Sequence, residues 1–215
     1  MSRFRIPALF VGSAFVLMTI GSSSSALADN HTTSTDTVAV MQTKMALRDL
    51  WVEHVFWIRS YVLATKAGDE TQGEVAESQV VANAKALADA IAPFYGVPAA
   101  DRLLELLADH WGAVRDYNAQ NIENSQSGRD AAIHRLTTNA GEIAEFLSAA
   151  NPYLPEQALF GLLSTHGAHH VAQINQVAAG QFGDEAVTWE AMREHMLTIA
   201  DAIAEALAMQ FPDRF

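Results

Sequence analysis

Apolar residues recur at three- and four-residue steps along most of this chain, and alternating β-branched runs are scarce. That rhythm predicts amphipathic helices rather than strands. Turn-forming residues interrupt it at Ala67-Gly68-Asp69, Tyr95-Gly96-Val97-Pro98, Asn124 to Gly128, Asn151 to Pro155 and Gly180 to Gly183. Cutting there predicts six helices, roughly 38–67, 71–93, 98–122, 128–150, 155–180 and 184–210. Pro98 and Pro155 fall at helix starts, where a missing N–H costs least.

The pattern also repeats with a period of 56. His54, His110 and His166 share that spacing, as do Leu47, Leu103 and Leu159, and Leu50, Leu106 and Leu162. On the even-numbered helices Asn83, Asn139 and His195 keep it, with Leu87, Ile143 and Ile199 and with Ile91, Leu147 and Ile203. The expected architecture is an all-α, six-helix bundle made of three similar antiparallel hairpins.

At 100° per residue, each of the three spaced histidines lies in the middle of an apolar stripe. Leu47, Leu50, Trp51, Ile58, Tyr61 and Val62 fall within about 80° of His54. Asn83, Asn139 and His195 head apolar stripes of their own. In an antiparallel hairpin two residues are level when their midpoint is the turn. His54 with Asn83, His110 with Asn139 and His166 with His195 meet that condition, and so do the pairs between hairpins. Six inward polar groups are therefore expected in one layer near mid-helix. Asp89, Glu145 and Asp201 lie about 120° off that line and read as solvated flank. Arg59 and Arg115 read as surface, and Glu53 and Asp109 as flank residues able to support a ring.

Composition narrows the chemistry. The chain has 215 residues, half of them hydrophobic, enough for a substantial core. It has no cysteine, which excludes disulfides, thiolate metal sites, covalent c-type haem and cysteine catalysis. A formal charge of −12 argues against a nucleic-acid partner. Residues 1–28 read as a secretory signal: Arg3 and Arg5, an apolar run from Ile6 to Ile20, and the small-residue site Ala26-Leu27-Ala28. That run is shorter than the ~20 residues a membrane span needs. Residues 29–37 are expected to be a flexible leader, and 38–215 one helical domain without a membrane anchor. Export implies a periplasmic or secreted location.

Histidines in an apolar layer suit a transition metal, since neutral imidazole ligates zinc, copper and iron. The expected ligands are His54, His110 and His166. His170 shares a helical face with His166 at the i+4 position, and either it or His195 would complete or flank the site. Asn83 and Asn139 would orient the rings. No carboxylate falls in the layer, so calcium and magnesium are poor candidates. The Glu-x-x-His pairs of ferritin-like di-iron sites are absent. Non-covalent haem between two histidines is a variant, and buried histidines can also sense pH. Catalysis would need an open coordination position with access to it. The competing reading is a non-catalytic bundle that binds a partner or apolar ligand, its His/Asn layer purely structural. His31, His134, Met41, Met45, Met192 and Met196 carry no site of their own in this reading, and the four tryptophans read as core or interface residues.

The run Leu50-Trp51-Val52-Glu53-His54-Val55-Phe56-Trp57-Ile58-Arg59 resembles the opening of an uncharacterised family of small bacterial helical proteins. So do Leu106 to His110, Leu162 to His166, Asn139 to Ala144 and the ending Gln210 to Phe215. The resemblance implies a single helical unit from about residue 47 onward and implies no activity.

Overall fold

A computed structural model describes residues 37–215. The expected signal segment, and the leader up to residue 36 with His31, lie outside the described residues. Six helices follow: α1 (Val38–Ala67), α2 (Glu70–Tyr95), α3 (Val97–Ile122), α4 (Gln126–Ala150), α5 (Glu156–Ala178) and α6 (Phe182–Gln210), with a 3-10 turn at Pro212–Arg214. Local chemistry sets the ends. Thr37, Asp69 and Ser125 accept bonds from the first free N–H groups of α1, α2 and α4. Gly68 ends α1 in the left-handed conformation, φ 71°, where its N–H reaches the Ala64 and Thr65 carbonyls. Gly96 alone separates α2 from α3, at φ 85° and ψ 168°, a region in practice restricted to glycine. The largest boundary shifts are of two residues: α2 runs through Pro93 to Tyr95, α4 and α6 begin early, and α5 ends early at Ala178.

Each helix packs antiparallel against its neighbours in the chain, and α6 returns to α1, closing the ring. α5 also touches α1 and α3 across the interior. Leu47, Trp51, Leu87, Ile91, Leu103, Leu107, Met196, Ile199 and Ile203 form one half of the core. A further cluster of Leu106, Ile143, Leu147, Leu159 and Leu163 adds to that half, and Ile58, Val62, Val80, Val114, Tyr117, Leu136, Ile174 and Val177 form the other. Burying each large apolar side chain contributes about 1.5–3 kcal/mol, so these two layers supply most of the driving force. Between them, on every odd helix, the stripe is interrupted by histidine. Among the described residues no helix is long and apolar enough to cross a membrane.

Candidate metal centre

His54 on α1, His110 on α3, and His166 and His170 on α5 meet in mid-bundle. Each offers a ring nitrogen, and the four nitrogens lie within 4.8 Å of one another. All four side chains are buried. Three helices aim their interior stripes at one point, and the i, i+4 pair on α5 contributes two rings from one face. Ring centroids are 5.2 Å apart for His110 and His166, 5.6 Å for His54 and His166, and 6.0 Å for His54 and His110. The Nε2 atoms of His166 and His170 are 3.1 Å apart. Two nitrogens each about 2.0–2.1 Å from one ion stand about 2.9 Å apart at right angles and about 3.4 Å apart in a tetrahedron. The α5 pair already falls inside that range, and the wider pairs lie within 4.8 Å.

The ring nitrogens are poorly satisfied by protein. Both nitrogens of His54, Nε2 of His110 and Nδ1 of His166 are buried without a hydrogen-bond partner. Burial is the main reason all four imidazoles titrate low. His54 falls from 6.5 to about 3, with His110 adding to the effect and Asn83 opposing it. His110 falls to about 4, with Asn139 and Asp109 opposing the shift. His166 and His170 also lie well below 6.5, through burial first and then mutual repulsion within the cluster. The rings are therefore neutral at pH 7, the form that binds metal.

The even helices hold the site from behind. Asn83 Nδ2 donates to the Leu50 carbonyl at 3.0 Å, and Asn139 Nδ2 donates to the Leu106 carbonyl at 2.9 Å. His195 Nε2 meets the Leu162 carbonyl at 2.8 Å. All three contacts span 33 residues, and each carbonyl belongs to the residue four before a cluster histidine. Asn139 Oδ1 also lies 3.3 Å from His110 Nδ1. With Oδ1 as acceptor, His110 carries its proton on Nδ1 and turns a free Nε2 lone pair inward.

The structure does not bring His195 to the cluster. It sits on an outer helix, half-buried, with Nε2 engaged by the Leu162 carbonyl and its ring 5.5 Å from that of His169. It occupies the anchoring position that Asn83 and Asn139 hold on the other hairpins. His170 is the fourth member instead. His134 is exposed, Met192 and Met196 are core residues, and Met41 and Met45 are exposed. Arg59 differs from its expected surface role. It forms a two-pronged pair with Glu185, at 2.6 and 2.7 Å, and Glu185 is buried. Gln173 donates to the same carboxylate at 3.0 Å. Glu185 lies in the first turn of α6, and nothing in its spacing marks it as interior.

A scan against protein families, a search of curated proteins and a search of solved structures each find no match to this chain. The chemistry of the donor set therefore carries the functional argument. Four neutral nitrogens without a carboxylate or thiolate suit a borderline transition ion and not calcium or magnesium.

Proposed function

We propose that this protein is an exported metal-binding helical bundle that holds one transition-metal ion (zinc, copper or iron) on His54, His110, His166 and His170. The observation that carries the reading is the convergence of four buried, neutral imidazoles whose nitrogens lie within 4.8 Å. A purely structural polar layer would pair its own donors and acceptors. Here four ring nitrogens of the cluster go without a protein partner, each at a cost of about 1–3 kcal/mol. An ion takes one nitrogen from each ring, so ligation offsets part of that cost. Asn83, Asn139 and His195 act as anchors for the helices that carry the ligands. Their equal 33-residue reach supports reading the three hairpins as copies of one 56-residue unit, the third copy having exchanged Asn for His. Export rests on the signal-like segment at residues 1–28.

The test is elemental analysis of the mature protein, purified from its export compartment without an affinity tag or chelator. We expect close to one metal per chain in the wild type. A His54→Ala/His110→Ala/His166→Ala variant and a single His170→Ala variant, both checked for helicity, should lose it. A metal-free wild type that neither takes up zinc, copper, iron or nickel nor gains thermal stability from them overturns the reading.

A further inference from the structure

One side of the histidine cluster faces a cavity. It is lined by Leu47, Trp51, Leu107, Ile143, Leu163 and Ile203 among others, and by His54, His110 and His166. His170 is not part of the lining. The order of these residues along their helices places the cavity between the cluster and the end of the bundle where α2 turns into α3 and α4 into α5. From His54 to Leu47 that is about 10 Å of helix. The volume open to the centre of a water-sized molecule is about 40 Å³. About 10–15 Å³ on that measure admits one water, so the space suits a ligand of two or three atoms.

The walls are apolar apart from the three imidazoles and one further group. Trp51 has a buried indole N–H with no hydrogen-bond partner, and its ring is 5.9 Å from that of His54 and 6.5 Å from that of His166. The residues 56 and 112 positions further on are Leu107 and Leu163, which line the same cavity without a polar atom. A tryptophan among leucines adds a single donor to a dry space. A neutral diatomic enters such a space with almost no desolvation cost, whereas an anion pays a large one that only the charge of the ion offsets. The donor set points the same way. Four neutral ligands in a buried site disfavour the extra positive charge of an oxidised ion. Iron or copper held there is kept in its lower oxidation state, the one that binds neutral diatomics.

Resting on the metal reading above, we propose that the ion's open position faces this cavity and takes a small uncharged diatomic ligand of the dioxygen or nitric oxide class. Trp51 Nε1–H donates a hydrogen bond to the bound ligand. Binding is reversible coordination, with no bond in the ligand broken.

The experiment loads the purified full mature protein anaerobically with one equivalent of ferrous iron, measures bound iron, and then adds nitric oxide. We expect the EPR and visible spectra of a ferrous nitrosyl, and no comparable change with azide, an anion of similar size. Trp51→Phe should keep its iron, shift the N–O stretching frequency and speed nitric oxide release by about three- to tenfold, the loss of one net hydrogen bond. Leu107→Phe, which narrows the cavity, should slow nitric oxide binding by about tenfold or more at unchanged iron content and helicity. Iron-loaded protein that forms no nitrosyl, binds azide equally well, or is indifferent to both substitutions overturns the inference and leaves the metal site standing. Protein that holds zinc but not ferrous iron overturns it as well. Protein that binds no metal at all overturns the metal reading, and this inference with it.

Discussion

Lowering the pH from 7 to 5 should remove about 4 kcal/mol of folding stability from the metal-free protein through His54 and His110 alone. Both rings are buried in the native state, where they titrate near 3 and 4, and both return to about 6.5 when the chain unfolds. At pH 5 the unfolded chain binds a proton at each site and the native protein does not. Stability is thus fully present above about pH 6.5 and falls as the pH drops toward the native values. At 1.5 units below 6.5, each ring contributes about 2 kcal/mol. His166 and His170 act in the same direction. A domain of this kind is stable by about 5–15 kcal/mol in total, so the loss is large. Urea unfolding of chelator-treated protein, followed by far-UV circular dichroism at pH 7, 6 and 5, reads the slope directly. His54→Leu and His110→Leu should each flatten it by about 2 kcal/mol over that interval. A wild-type stability equal at pH 7 and pH 5 would refute the reasoning, because it would mean the rings protonate as freely in the folded protein as in the unfolded one.

Two further outcomes follow from the contacts around the site. Asn139→Leu removes the bonds to the Leu106 carbonyl and His110 and should cost about 1–3 kcal/mol in urea unfolding, with metal affinity weakened about 10- to 100-fold in competition titrations. Glu185→Ala removes the carboxylate shared by Arg59 and Gln173 and should cost about 1–3 kcal/mol while leaving metal stoichiometry unchanged, because the Arg59 side chain is 30% exposed and keeps some contact with water. An Arg59→Met/Glu185→Leu double variant should recover most of that loss, since the penalty lies in the unpaired charge.

The angle and height of each polar residue were legible before any packing was known. Helical periodicity puts His54, His110 and His166 on interior stripes, and the turn positions put them level. The relation of His170 to His166 is a property of one helix and reads directly from i, i+4 spacing. The distance of a residue from the bundle axis is not encoded that way. His166 and His195 satisfy the same conditions of angle and height, yet one joins the cluster and the other meets a neighbouring backbone carbonyl. Arg59 was misplaced for a related reason. At about 140° from the histidine direction it is off the interior stripe, but α6 packs on that flank and brings Glu185 to it.

The sequence alone determined the helices, their ends and the stripe each one buries, because capping, proline and glycine geometry and a 3.6-residue period act over a few residues. It also determined that neutral nitrogens, not carboxylates or thiolates, would be the available ligands. The tertiary structure decided which helices lie nearer the axis, and so which four of the candidate histidines converge. It also decided that Asn83, Asn139 and His195 anchor the backbone, that Glu185 is an interior charge, and that Trp51 faces an apolar cavity beside the cluster. These features depend on how six helices of unequal bulk share one interior. That is settled by side chains distant in sequence filling the same space, a condition no local pattern contains.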